Sequence, residues 1–382
     1  MKIVIIGWYG TETIGDRAIV AGLISFFKKS FGDFEIQLGS LYPFFSQRTI
    51  VEDYDFYKEI ISKDIKISIF DSKDSRQLDN AIRCSDIVIM GGGPLMDLDE
   101  LFMIEYAFKK ARKLAKKTAL LGCGVGPLFK KKYWKSVLEI VEHSDLVILR
   151  DSLSKERLKY FCKEEGKFFD YAFIKTSYDP AVESVLEFGK RNIPVPQEYV
   201  AINLRKFPSE YIQGKDCNDI DRNLKNFVKD VALKYSQREI RLIPMHYFHI
   251  GNDDRFFLND IAMDLNLPNI YVQNSNLTLK QTIETYQNAY FNIGMRFHAV
   301  VMQTMVSGKN YILDYTEPQK GKIIGFLSDI DKNGFYKERY ISLQEQTIDS
   351  TIIRNEEDRF VFDIEKVYVH LNVYVEELRG LW

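Results

Sequence analysis

Apolar positions in this chain fall into short dense runs separated by longer amphipathic stretches. In the first half the runs lie at residues 3–6, 36–41, 65–70, 87–90, 118–121 and 146–149, built on Ile, Val and Leu. Runs of this length read as strands, and their near-continuous apolar character fits strands covered on both faces. Between most of them apolar residues recur at helical spacing, for example over 17–29, 98–116, 134–143 and 153–161. Strands alternating with helices of this length predict βαβ units and a mainly parallel sheet.

Residues 188–198 break the pattern. They carry Gly189, Pro194 and Pro196 among polar residues and are read as an inter-domain linker. A second alternation follows: strand 199–204, helix 220–235, strand 240–244, helix 256–265, strand 270–272, helix 279–288, strand 290–294, helix 298–306 and strand 310–314. The fold class predicted is α/β, with two Rossmann-like domains facing a cleft, the GT-B-like architecture. The N-terminal domain spans 1–187 and is expected on the acceptor side; the C-terminal domain spans 199–355 and is expected on the donor side; residues 356–382 add a C-terminal helix, read over 357–378. A length of 382 residues agrees with two domains. Such an architecture does not fix the chemistry.

Composition narrows the function classes. Apolar content of 46% and charged content of 28% are those of an ordinary globular protein. A net charge of −2 argues against a non-specific nucleic-acid binder, so no nucleic-acid partner is expected. Cys84, Cys123, Cys162 and Cys217 are widely spaced, with no Cys-x-x-Cys pair, and read as free thiols of a reducing compartment. The chain starts directly on a strand with no signal-peptide pattern, and no run nears the roughly 18–20 apolar residues of a membrane span. The expected location is cytoplasmic, with a peripheral contact at the inner face of the membrane left open.

Candidate chemistry sits where the predicted strands end, which is where α/β folds place ligands. Gly7, Gly10, Gly15 and Asp16 lie in a loop after the first strand; its spacing is not the dinucleotide fingerprint, and a tight structural turn competes with a ligand loop. Gly91, Gly92 and Gly93 follow the fourth strand and favour a ligand-facing loop, because three glycines cost backbone entropy. Asp97 then either orients a hydroxyl or caps the next helix. Arg150 closes a further strand, facing a crevice or pairing with Asp151 or another acid, and Ser152 fits an N-cap. In the second half Arg205, His246, Arg296, His298 and Tyr315 stand at strand ends, with Lys320 and Lys322 entering the following helix. Arg296 offers a fork of donors to an anion or forms a structural ion pair; His298 carries a proton near neutral pH or caps a helix. His246 and His249 lie three apart without a third ligand, so no metal is expected.

These corners, in order, resemble the polysaccharide pyruvyl transferase family, from Lys2 to about Leu327. The resemblance rests on the glycine-rich opening at 7–19, the glycine triplet with Asp97, and the Gly-x-Gly-x-Gly-Pro corner at 122–127. It rests also on Arg150-Asp151-x-x-Ser154, on Asp179-Pro180-Ala181 and on Gly294-Met295-Arg296-Phe297-His298. The opening departs from the family at Thr13 and Arg17, and a longer insert separates Tyr315 from Lys322, with Lys320 the fallback for the family lysine. The resemblance implies transfer of a pyruvyl group from phosphoenolpyruvate onto two hydroxyls of a sugar or lipid-linked oligosaccharide acceptor, giving a ketal and phosphate. It implies catalytic positions at Arg150, His298 and Lys322. Arg296, Gly10, Asp16, Gly91–Gly93, Asp97, Arg205 and Tyr315 would bind substrate, the first half holding the acceptor and the second the donor. No cofactor beyond the donor substrate is expected, and the oligomeric state is open. The rival readings are a glycosyltransferase using a nucleotide sugar, for which no acidic ribose contact stands out, and a non-catalytic relative.

Overall fold

Chain order in the first half runs β1 (Lys2–Ile6), α1 (Ile14–Phe31), β2 (Glu35–Ser40), α2 (Pro43–Ile61), β3 (Lys66–Asp71), α3 (Ser75–Cys84), β4 (Ile87–Gly91), β5 (Pro94–Leu95), α4 (Glu100–Lys113), β6 (Lys117–Val125), α5 (Lys131–Glu142), β7 (Leu146–Leu149), α6 (Ser152–Glu164), β8 (Ile174–Thr176) and α7 (Pro180–Gly189). It continues with β9 (Tyr199–Asn203), α8 (Cys217–Lys234), β10 (Glu239–Leu242), α9 (Asp254–Leu265), β11 (Ile270–Val272), α10 (Leu279–Asn288), β12 (Phe291–Gly294), α11 (Phe297–Val306), β13 (Asn310–Asp314), α12 (Lys322–Ile330), β14 (Tyr340–Ser342) and α13 (Ile364–Gly380). The structure is a computed structural model and describes every residue except Glu12, Pro127, 213–215, His249 and Gly251.

Two units emerge: Met1–Glu12 with Asp16–Ser184 and Asp363–Trp382, and Thr13–Gly15 with Val185–Phe362. The first carries a parallel sheet in the order β3-β2-β1-β4-β6-β7-β8, with β5 beside β6. The second carries a parallel sheet in the order β11-β10-β9-β12-β13-β14. The chain therefore reverses its direction of growth between β1 and β4 in one sheet and between β9 and β12 in the other. Such reversal points leave a crevice at the strands' carboxyl ends. β4, β7, β9, β12 and β13 are buried along their whole length, as their largely apolar runs require.

Several boundaries fall elsewhere than the sequence predicts. The units divide after Ser184, within α7 and earlier than the 188–198 linker; Val182, Val185 and Phe188 of that helix are all buried. The final helix begins at Ile364, N-capped by Asp363, and not at 357. It is part of the first unit, where Tyr374 stacks on Phe26 at 4.3 Å and donates to the Tyr178 carbonyl at 2.7 Å. Asp151, not Ser152, caps α6, its carboxylate accepting from Ser154 N. All four cysteines are free. Among the described residues no helix is long and apolar enough to cross a membrane.

Candidate active site

The second unit gathers the carboxyl ends of β10, β9, β12 and β13 side by side. A buried amide ties three of them together. Asn203, the last residue of β9, donates from Nδ2 to Ile243 O at 2.9 Å and accepts from Arg296 N at 3.0 Å. Arg296 takes the N-cap position of α11, and its guanidinium grips the Asp254 carboxylate through Nε, at 3.0 and 2.7 Å, and Nη2. Asp254 opens α9, is buried, and also accepts from Met245 N and His246 N. Burial alone would lower the Arg296 pKa; the Asp254 carboxylate outweighs it and holds it above the ordinary arginine value. Of the two roles open to Arg296, the ion pair is the one realised. The pair rigidly positions the start of α11, where His298 is the second residue and is half-buried.

The space beside His298 is occupied by a glycine. Ile14 N donates to Met245 O at 3.0 Å and Thr13 bridges His246, which lays the segment Thr13–Gly15 against the end of β10. A Cβ on Gly15 would stand 1.9 Å from His298 Nδ1 and 2.4 Å from its Cγ. No other residue type fits there with the ring in place.

Next to this corner lies a cationic cradle around one buried phenol. Tyr315 follows β13 and is 2% exposed. The Arg205 guanidinium, after β9, sits 5.4 Å from the Tyr315 ring centre, and Lys322 Nζ, at the first position of α12, sits 5.7 Å from it. Tyr211 packs edge-on against the same ring at 5.3 Å. Lys322, Arg205 and Arg296 together pull the Tyr315 hydroxyl below the usual tyrosine range, although burial pushes the other way. Among the described residues neither Arg205 nor Lys322 has a carboxylate within ion-pair distance, whereas Arg296 has Asp254. These two cations thus lack a direct carboxylate partner, the buried Asp314 acting on Lys322 only from beyond ion-pair distance. Lys320 is exposed in the turn before α12.

The first unit holds the other expected positions. Arg150 is buried and lies 3.6 Å from Asp151 and 3.4 Å from Asp179, so its acid partners are realised. Its guanidinium also fills the space over Gly124, 2.5 Å from where a Cβ would be. The glycine triplet packs on the protein itself. Its side-chain spaces are filled by Tyr9 and Leu23 at Gly91, Ile19 at Gly92 and Trp8 at Gly93. Gly91 O accepts from Tyr9 Oη, and Gly92 N donates to Leu121 O at 2.7 Å. Close packing against Trp8, Tyr9, Ile19 and Leu23 is one reason for three glycines here. Asp97 does not cap α4; Asp99 holds that position, and Asp97 accepts from Phe129 N at 2.9 Å. Gly10 is pinned against Ser40 and Tyr42 at φ +87°, a tight structural turn. Asp16 accepts from Thr11 Oγ1 at 3.2 Å. Arg17, where the family resemblance breaks, makes a buried two-point pair with Asp53.

Sequence reasoning gave no role to Asn203 or Asp254, and placed Gly15 only in a glycine-rich loop. The signal for Asp254 was present: an acidic pair at a helix start, just after a strand end, in a chain with a strand-end arginine to neutralise. His249 lies outside the described residues. Among the described residues no group of three His, Cys, Asp or Glu could hold a metal ion.

Fold comparison gives the chain a GT-B-like α/β fold. UDP-GlcNAc 2-epimerase from Methanocaldococcus jannaschii, solved with UDP-GlcNAc and UDP, superposes with a TM-score of 0.54 at 14% identity, over 97% of this chain and 93% of that one. MnaA from S. aureus, solved with UDP, gives 0.56 at 11%, over 99% and 90%. UDP-GlcNAc 2-epimerase from Neisseria meningitidis gives 0.53 at 12%, over 100% and 94%. Identities this low speak for the fold alone. No curated protein sequence matches the chain. The sequence model of the polysaccharide pyruvyl transferases matches residues 14–302, and the chain belongs to that family.

Proposed function

We propose that this transferase moves a pyruvyl group from phosphoenolpyruvate onto two hydroxyls of one sugar in a cell-surface glycan precursor, forming a cyclic ketal and releasing phosphate. The observation that carries this reading is the pair of cations without a carboxylate in ion-pair distance, Arg205 and Lys322, flanking Tyr315. Phosphoenolpyruvate offers a carboxylate and a phosphate, and charge-assisted contacts to both suit one guanidinium and one ammonium. His298 protonates the methylene carbon of the enol, which makes the neighbouring carbon electrophilic. A first acceptor hydroxyl adds there and a second displaces phosphate. Lys322 and Arg205 stabilise the charge that develops on the departing group. Arg150, held between Asp151 and Asp179, is proposed as a catalytic residue of the first unit, and that unit as the acceptor side. Asp97, Asp16, Gly10 and the glycine triplet are proposed to shape the acceptor side through their backbone. The acceptor is a sugar or lipid-linked oligosaccharide, which would bring a cytoplasmic protein to the inner face of a membrane.

The test is acceptor-dependent phosphate release from phosphoenolpyruvate with a panel of synthetic and lipid-linked glycosides. Release that requires both substrates supports the reading. Consumption of a nucleotide sugar, with phosphoenolpyruvate inert, would overturn it in favour of glycosyl transfer.

A further inference from the structure

Burial pushes the hydroxyls of Tyr9, Tyr57, Tyr286 and Tyr374 well above the usual range. Tyr315 is as deeply buried and goes the other way. The groups facing it explain this. Arg205, after β9, lies 5.4 Å and Lys322, from α12, 5.7 Å from the ring centre, with Arg296 from the turn before α11 as a third cation; Tyr211 brings an edge-on ring and a second phenol, itself pushed up by burial and by the Tyr315 charge. Asp314, the neighbouring residue on β13, is turned to other partners: Thr316 N at 2.7 Å, Thr316 Oγ1 at 2.6 Å and Tyr340 Oη at 2.9 Å. Asp254 is paired with Arg296. A phenol whose charged neighbours are cations is placed to give up a proton and to be stable without it.

We propose that Tyr315 is the proton donor to the departing phosphate, and that its phenolate then takes the proton of the second acceptor hydroxyl. The proposal rests on the pyruvyl-transfer reading and deepens it. Ketal formation has two acceptor protons to place. One replaces the proton His298 gives to the methylene carbon, which becomes a methyl group. The other must leave with phosphate, because the bridging oxygen departs as a poor leaving group unless it is protonated. In the proposed step the bond from the central carbon to the bridging oxygen breaks as Tyr315 Oη delivers its proton to that oxygen. Hydrogen phosphate is released, and the phenolate rests between Lys322 and Arg205. The second hydroxyl oxygen bonds to the central carbon and its proton goes to the phenolate, which restores the phenol. No oxidant, reductant or further reactant is needed.

Tyr315→Phe removes the hydroxyl and keeps the ring that packs on Tyr211. The phenolate absorbance of wild type minus variant, titrated without substrate, should show one group ionising below the ordinary tyrosine range. In the acceptor-dependent phosphate assay the variant's kcat should fall about 10²–10⁴-fold, the usual worth of a positioned acid. Phosphoenolpyruvate binding, read by thermal shift, should survive. Wild-type kcat should decline as pH rises through the Tyr315 titration, since the protonated form is required, and the variant should lack that limb. A variant with wild-type kcat, or a difference titration at or above the ordinary tyrosine range, would overturn the proposal while leaving pyruvyl transfer intact. A wild type that releases no phosphate from phosphoenolpyruvate with any acceptor would instead overturn pyruvyl transfer, and this step with it.

Discussion

Replacing Gly15 by Ala tests whether His298 needs its present place. The new Cβ would lie 1.9 Å from Nδ1, 2.4 Å from Cγ and 2.7 Å from Cε1 of the ring. Apolar contacts settle near 3.5 Å, so the imidazole must retreat by roughly 1.5 Å. Gly15 is the second residue of α1, where Ala is the better helix former by up to about 1 kcal/mol. Overpacking costs about 1–3 kcal/mol, so the fold should persist with a small loss of stability. A catalytic group moved by about 1 Å can lose roughly 10²-fold in rate. The expected outcome is a kcat for phosphate release about two orders of magnitude below wild type, with phosphoenolpyruvate binding retained. In a His298→Asn background the same substitution should cost little more, because the residue it displaces is already disabled. A Gly15→Ala protein with wild-type kcat would refute the assignment of His298 as the acid.

The other predictions concern binding, chemistry and stability in turn. Phosphoenolpyruvate at about 100 times its dissociation constant should stabilise the protein by roughly 2.7 kcal/mol, seen as a raised Tm; nucleotide sugars should leave Tm unchanged. His298→Asn should lower kcat by about 10²–10⁴-fold while donor binding survives, and loss of binding with turnover intact at saturation would make His298 a donor ligand instead. Arg205→Ala should chiefly raise the KM for the donor, and an unchanged KM would exclude it from the cradle. Asp254→Ala leaves a buried guanidinium and two backbone amides without their acceptor, so Tm should drop by the equivalent of about 3–5 kcal/mol in denaturant unfolding; a loss under 1 kcal/mol would show that Arg296 finds another partner.

The strand runs and their alternation with helices were legible because buried parallel strands need apolar residues on both faces, and β1, β4, β7, β9, β12 and β13 all read that way. The short edge strands β8 and β14 were not, since three residues carry no period. The last helix was placed seven residues early because the apolar run Phe360-Val361-Phe362 extends its hydrophobic pattern upstream; the Asp363 cap marks the start. At the site, the strand-end positions of Arg205, Arg296, His298 and Tyr315 followed from chain order alone. Which cations lack a carboxylate in ion-pair distance did not, because the acid that neutralises Arg296 lies 42 residues away in sequence. The glycine triplet looked like a ligand loop because the side chains that press on it, Trp8, Tyr9 and Ile19, come from another part of the chain.

The most direct measurement follows the pyruvyl carbons. Phosphoenolpyruvate labelled at its central carbon is incubated with the protein and a glycoside acceptor, and the products are read by carbon NMR. Pyruvyl transfer predicts one phosphate released for each label appearing as a ketal carbon on the sugar, and none of either without acceptor. Phosphate released with the label recovered as free pyruvate, or no reaction of phosphoenolpyruvate beside breakdown of a nucleotide sugar, would contradict it.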